Sequence, residues 1–521
     1  MSTPPPLSST GFLRWAWRQL TSMKTALVLL FLLALASVPG SVLPQRGIDP
    51  IKVREWIADA PTWGPILDRF GFFDVYSSPW FSAVYLLLFL SLVGCVIPRV
   101  GVHYRAMRST PPPAPRFLDR FAGTRELPLQ GTPAEALDAA RTALRSAHWR
   151  VVSGPVDQPT WVSAERGYLR ETGNLVFHVS LLLVLVSIAF GGLFGWKGNV
   201  IVRQGASFSN TLTQYDAWGG GRFASAQSLP PFSFTLDEFT VDFERGVAQR
   251  GAPRAFEADV TYRASPEAPA QRAVIAVNEP LAVDGAKVFL VGHGYAPVVR
   301  ITDRQGTVVF DDAVPFLPQD GNFTSTGVVK VPDASPQIGL QALFLPTAAL
   351  DQTLGPHSTF PAPDDPALFM SAWKGDLGLD AGEPQSVYRL VTDKMTKIGL
   401  GQLRPGQTWT LPDGSGTVTL AGYTRWASFQ IAQDPGKEIA LLAVAIAIMG
   451  LTLSLFIRRR RVWVKITDRD GVTVVQLAGI LRTSTVDDED IGALADDLDL
   501  LERSLAAAGV VPEPASPEEE S

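Results

Sequence analysis

The chain has 521 residues, 46% of them hydrophobic, with a net charge of −6 and a single cysteine. A chain this long outgrows one core, so more than one domain is expected. The acidic balance excludes a nucleic-acid binder, which would carry a basic stripe; the lone Cys95 excludes disulfide stapling, CxxC redox chemistry and a cysteine-built zinc site.

Residues 1–24 carry Arg14, Arg18 and Lys24 and lead into a first apolar run, 25–43. Its basic flank and small residues resemble a cleaved signal peptide. Its length, with three more such runs downstream, predicts a retained anchor instead. A short loop, 44–79, precedes a second run, 80–98, that opens at Trp80 and closes at Pro98-Arg99. Segment 99–173 is basic near both ends (Arg99, Arg105, Arg108, Arg166, Arg170). Between Glu126 and Arg166 it predicts a strand, a helix over Pro133–His148 and two short strands, with Thr132-Pro133 as the helix opening. A third run spans 174–195. Each run is close to the roughly 20 residues that cross about 30 Å of hydrocarbon.

Segment 196–437 reads as strands. Phe232–Phe243 alternates apolar and polar residues, as a half-buried strand does. Phe256–Tyr262, Ala273–Val277, Lys287–Val291, Val298–Thr302 and Thr307–Phe310 are similar, separated by turn chemistry such as Asp284-Gly285 and Asp413-Gly414. The Pro-rich stretch Pro346–Pro366 predicts a long irregular loop. A fourth run, 438–457, ends in Arg458–Arg461, expected to act as a stop-transfer and lipid-headgroup cluster. In 458–521, Val462–Ile466 and Val472–Leu477 flank Asp-Arg-Asp-Gly and predict a hairpin. A helix from Asp488 to about Ala507 and a disordered acidic tail follow.

Arginine and lysine close to span ends belong on the cytoplasmic side. All the basic zones satisfy this together if both termini are cytoplasmic and 44–79 and 196–437 lie outside. The expected fold class is a polytopic α-helical membrane protein with four transmembrane helices, a large extracytoplasmic all-β domain and small cytoplasmic α+β elements. The expected location is a bacterial cell membrane.

Five histidines are candidates for chemistry: His103, His148, His178, His293 and His357. Only His178 falls inside a predicted span, near its cytoplasmic end. An ionisable group in hydrocarbon is costly and points to function. An imidazole there serves either as an axial ligand to haem iron or as a hydrogen-bonding partner of another helix. His293 stands in Val291-Gly-His-Gly-Tyr-Ala-Pro297, where the glycines suit a ligand site or a tight strand end. The remaining three are expected to be solvated. No Walker loop, dinucleotide fingerprint, nucleophile elbow or HxxxH spacing is present, so no self-contained catalytic site is expected.

Several segments resemble the ResB family of cytochrome c biogenesis proteins, the CcsB component of the System II pathway. They are Gly40-Ser-Val-Leu-Pro-Gln45, Arg166-Gly-Tyr-Leu-Arg-Glu-Thr-Gly-Asn-Leu-Val-Phe-His178, Val277–Gly285 with Val288–Pro297, and Asp434-Pro-Gly436. The four-span plan with its large domain between the last two spans is also similar. The resemblance implies a non-catalytic subunit of a haem-attachment complex. That subunit would act with a ResC/CcsA-like membrane protein to carry haem b outward, transiently shared with the partner, and present it to apocytochrome c. A thioredoxin-like apocytochrome reductant would be a further partner. By position the family's haem histidine falls on His178; His293 gains no such support. The chain has thirteen tryptophans but no WxWD-type cluster, so it resembles the ResB half alone. The rival reading is a membrane-anchored scaffold whose β domain stabilises a partner without contacting haem.

Overall fold

The computed structural model describes residues 9–513 apart from 49, 122, 156–159, 354, 380–387, 470 and 482–487. The end of the expected acidic tail, 514–521, lies outside them. The helices in chain order are α1 (Ser9–Leu20), α2 (Met23–Val42), α3 (Pro50–Asp59), α4 (Trp63–Arg69), α5 (Pro79–Arg108), α6 (Pro133–Ser146), α7 (Leu169–Phe194), α8 (Lys437–Phe456) and α9 (Asp488–Ala507). Four of these, α2, α5, α7 and α8, are long and apolar enough to cross a membrane.

The chain forms two compact units, one of Met1–Leu43, Leu67–Ala189 and Lys437–Ser521, the other of Pro44–Ile66 and Phe190–Gly436. In the first, α5 departs from expectation. It does not end at Pro98 but continues to Arg108, 30 residues in all. An internal proline deletes one donor and can kink a helix without ending it. Arg105 and Arg108 in the last turn suit the negative end of the helix dipole. At 1.5 Å per residue α5 is about 45 Å long, well beyond the hydrocarbon thickness, so its last turns, with His103, stand at the basic end of the bundle.

Small residues let the membrane helices touch. A Cβ on Gly173 would meet the Gly450 carbonyl oxygen at 2.6 Å, and one on Gly450 would meet the Phe177 nitrogen at 2.7 Å. Backbone meets backbone where α7 crosses α8, the use membrane helices make of small residues. Ser180 and Ser187, seven and fourteen residues on from Gly173, are also buried. At 100° per residue His178 points about 140–180° away from this seam. That direction faces α5, which is tied to α7 by hydrogen bonds from the Tyr85 hydroxyl to the Leu185 carbonyl and between His103 and Thr172.

The two polar segments flanking α7 and α8 form one five-stranded antiparallel sheet. Its order is Arg125–Pro128, Val472–Leu481, Arg460–Arg469, Trp161–Arg166, Arg150–Ser153. The C-terminal hairpin is therefore inserted between strands from the loop before α7. Helices α6 and α9 cover one face over Leu137, Leu144, Val162, Val464, Val475, Leu477, Leu498, Leu501 and Leu505. Thr132 and Glu135 form a reciprocal cap at the start of α6, with Pro133 in its first turn.

The second unit is dominated by strands, and among the described residues it has two large hydrophobic cores and one small one. Its spine is a pair of 18-residue antiparallel strands, Ala286–Asp303 and Gly416–Gln433, paired from Lys287–Ala432 to Asp303–Gly416. One large core holds Phe208, Phe232, Phe234, Val288 and Phe429, the other Val299, Ile301, Phe316, Phe344 and Leu420. Each long strand thus serves both large cores, re-aimed by bulges at Leu290/Gly292 and Val298/Val299. Two corrections follow. The Gly-His-Gly triplet does not end a strand but lies inside one. The stretch Pro346–Pro366 is not wholly irregular, because Ala348–Asp351 and Gly355–Ser358 pair as a hairpin. The Asp284-Gly285 turn closes Leu281–Val283 on Ala286–Val288, with both turn residues at positive φ (45° and 79°), as a two-residue hairpin of this kind requires.

Candidate functional site

The segment Arg166–His178 accounts for most of the polar structure at the basic end of the bundle. Gly167 adopts φ +94°, and a Cβ there would run into the Arg458 carbonyl. The Tyr168 hydroxyl donates to Glu165 Oε2 at 2.7 Å, and the Arg459 guanidinium lies over its ring at 4.6 Å. Arg459 donates to Glu165 at 2.7 Å and also to Glu171. Arg461 approaches the same Glu165 at 3.3 Å. Burial pushes the Glu165 carboxyl up, but the Tyr168 hydroxyl and the two arginines outweigh it and hold it below the usual range. Arg460 pairs with Asp497 at 2.8 Å. The expected lipid-headgroup cluster is therefore largely turned inward, because Arg459 and Arg461 meet Glu165 in the sheet, Arg459 also meets Glu171 on α7, and Arg460 meets Asp497 on α9.

Further along α7 the segment borders a cavity of about 640 Å³ between α2, α5 and α7. Its walls are mainly aliphatic, including Leu27, Leu30, Leu88, Leu92, Leu181 and Val184; the polar side chains are Arg99, His103, Glu171, Asn174 and His178, with Cys95 beside them. His178 Nδ1 lies 2.8 Å from the Asn174 carbonyl oxygen. A carbonyl can only accept, so Nδ1 carries the proton. In the neutral ring Nε2 then keeps its lone pair, which is how a backbone carbonyl prepares an imidazole for an iron or zinc ion. The ring of Phe177 meets it edge-on at 5.2 Å.

His103 was not expected here. It lies on the continued part of α5, with its side chain only 13% exposed, 3.0 Å from Thr172 Oγ1 and 3.6 Å from Glu171. Sequence reading placed it in a solvated loop because Pro98 marked a helix end; the helical spacing of Arg99, Val102, His103 and Ala106 along one face was the available signal. Among the described residues no three His, Cys, Asp or Glu side chains are grouped to hold a bare metal ion. What the cavity offers is a single prepared imidazole in an apolar chamber.

His293 sits elsewhere, in the β unit, packed against Phe323 at 4.6 Å, Phe256 at 4.9 Å and Phe239 at 5.2 Å. Burial, with Arg425 nearby, pushes its pKa down to about 4. The glycine after it is required by packing: a Cβ on Gly294 would meet the Trp426 ring at 2.5 Å. Trp426 Nε1 is itself bound to the Tyr295 and Phe316 carbonyls, each at 3.1 Å. His148 is exposed just after α6, and His357 Nδ1 lies 3.1 Å from the Gly355 carbonyl in the hairpin of Ala348–Asp351 and Gly355–Ser358. The structure does not bring these three histidines together with His178.

Four helices long and apolar enough to cross a membrane, a cavity between three of them and a strand-rich segment between the last two in sequence describe a membrane protein. The chain belongs to the ResB-like family, whose model matches residues 23–490. It is similar to proteins named cytochrome c biogenesis protein CcsB. The one from Gloeobacter violaceus is 24% identical over 86% of this chain and 84% of its own length. That from Synechococcus sp. (strain RCC307) is 25% identical over 93% and 94%. That from Thermosynechococcus vestitus is 24% identical over 85% and 87%.

Proposed function

We propose that this chain is the haem-holding membrane subunit of a cytochrome c maturation complex, and that His178 supplies one axial ligand to the iron of haem b. The observation that carries this reading is His178 itself. Its Nδ1 proton is committed to the Asn174 carbonyl, which leaves Nε2 as the basic nitrogen on the wall of a 640 Å³ chamber. That volume lies within the range of roughly 300–1,000 Å³ typical of chambers that enclose small organic ligands. The aliphatic walls suit a flat apolar macrocycle, and one imidazole suffices because the porphyrin provides the other in-plane donors.

Haem is here a cargo, and its chemistry is the exchange of axial ligands at iron. The chain's own contribution is to hold Nε2 in place, exclude water with Leu and Val side chains, and leave the opposite axial position to a histidine of a ResC/CcsA-like partner. With Cys95 as its one thiol, the chain lacks a CxxCH site of its own, so thioether attachment takes place on apocytochrome c, and reducing equivalents come from a thioredoxin-like partner. In this reading both termini are cytoplasmic, which the basic residues at the helix ends support, and the β unit lies outside, where it docks the partner or the apocytochrome.

The test is to co-express His178→Ala with the partner, purify the complex and record its haem content and absorbance spectrum. Loss of the low-spin bis-histidine spectrum, with partial recovery by added imidazole, is the expected result. An unchanged spectrum and stoichiometry would remove His178 from the ligand set and leave the scaffold reading.

A further inference from the structure

Polarity along the chamber is graded. Arg99, His103 and Glu171 occupy the basic end, Asn174 and His178 follow, and the remainder of the wall is aliphatic apart from Cys95. A chamber for a wholly apolar ligand has no use for a guanidinium, since a cation in hydrocarbon is costly without an anion. The charges at this end are unequally satisfied. Glu171 is met by Arg459 on one side and His103 on the other, and His103 is held by Thr172. Among the described residues no carboxylate pairs with Arg99, whose Nη2 rests 2.8 Å from the Met23 sulfur, a weak acceptor.

The depth of Arg99 matters. The His103–Thr172 hydrogen bond sets the register of α5 against α7, which run in opposite directions. Arg99 is one turn earlier in α5 than His103, and His178 six residues later in α7 than Thr172. At 1.5 Å per residue, Arg99 stands within about 3 Å of His178 in depth, with a side chain long enough to reach toward the basic end. A flat ligand anchored at its centre by His178 would therefore present its edge to Arg99.

We infer that Arg99 is a specificity-determining residue that holds a carboxylate of the cargo, so that the chamber selects an amphipathic acid with its acidic edge turned to the basic end of the bundle. The inference rests on the haem reading of the chamber: for haem, the acidic edge is the one that bears the two propionates. Guanidinium–carboxylate hydrogen bonds are charge-assisted and directional.

The experiment titrates the full-length protein in lipid nanodiscs with haem b and with its dimethyl ester, following the Soret band. Wild-type protein should bind haem b at least roughly tenfold more tightly than the ester, as expected for one charged hydrogen bond. Arg99→Gln should bind both equally at the level of the ester, with the axial-ligand spectrum unchanged, and Arg99→Lys should recover part of the preference. Equal binding of the two by wild type, or a preference retained in Arg99→Gln, would overturn the assignment while leaving His178 ligation standing. Wild-type protein that binds neither compound, alone or with the partner, would sink the haem reading and this inference with it.

Discussion

The crossing of α7 and α8 gives a sharp test of the structure. Adding one methyl group at Gly173 places a Cβ 2.6 Å from the Gly450 carbonyl oxygen, 2.7 Å from the Ser454 nitrogen and 2.8 Å from Leu453 Cβ. Ordinary contact begins near 3.5 Å, so the two helices must part by about 1 Å. Since two of the obstructing atoms are backbone, no rotamer change relieves the clash, and overpacking of this kind costs about 1–3 kcal/mol. Gly192 lies in the same helix with nothing within 4 Å of an added Cβ. There the same substitution should stabilise by about 0.5–1 kcal/mol, because alanine is the better helix former. Thermal unfolding of the detergent-solubilised protein, followed by loss of monodisperse protein on gel filtration, compares the two variants. Gly173→Ala should lower Tm by several degrees, at about 2–4 °C per kcal/mol for a unit of this size, and Gly192→Ala should not lower it. A Cβ on Gly450 meets the same crossing, so the double variant Gly173→Ala/Gly450→Ala should cost clearly less than the two single losses added. Gly173→Ala protein as stable as wild type would refute the backbone contact.

Glu165 is 1% exposed between Arg459 and Arg461. Glu165→Gln leaves the buried Arg459 with Glu171 as its one carboxylate and the half-buried Arg461 without Glu165, and should destabilise the five-stranded sheet by about 3 kcal/mol, visible as faster proteolysis between Arg150 and Leu481. Because the folded-state pKa of Glu165 is depressed, its contribution is complete above the unfolded value and fades as pH falls through the lower folded one; the Gln variant should lack that part of the acid sensitivity. His293 runs the same way in pH for the opposite chemical reason. Its pKa falls from about 6.5 to about 4 in the folded state, so the unfolded chain takes the proton first and stability declines between pH 6.5 and 4, by up to about 3 kcal/mol. His293→Phe, which keeps a ring among Phe239, Phe256 and Phe323, should abolish that decline in a tryptophan-fluorescence titration of unfolding.

Much of this architecture is written locally. The four apolar runs, the alternation of Phe232–Phe243, the Asp284-Gly285 turn and the Thr132-Pro133 cap each follow from a few neighbouring residues, and each recurs in the structure as helix, strand, hairpin or cap. His178 could be singled out from its sequence alone, because an imidazole in an apolar run is conspicuous by its cost. Its partner, the Asn174 carbonyl one turn earlier, follows from helical spacing.

Contacts across long sequence separations decided the rest. Pro98 promised an end to α5, yet the helix continues and carries His103 to Thr172, 69 residues away. The Gly-His-Gly triplet promised a turn, but pairing with Ser428, Ala427 and Trp426 keeps it within a strand, and the indole explains the glycine. Arg459 and Arg461 looked like groups for lipid phosphate until Glu165, nearly 300 residues earlier, was brought beneath them. Periodicity and capping depend on a residue and its near neighbours, so sequence determines them. Which cation meets which carboxylate, and which helix faces open onto a cavity, depends on partners that only the closed tertiary structure makes adjacent.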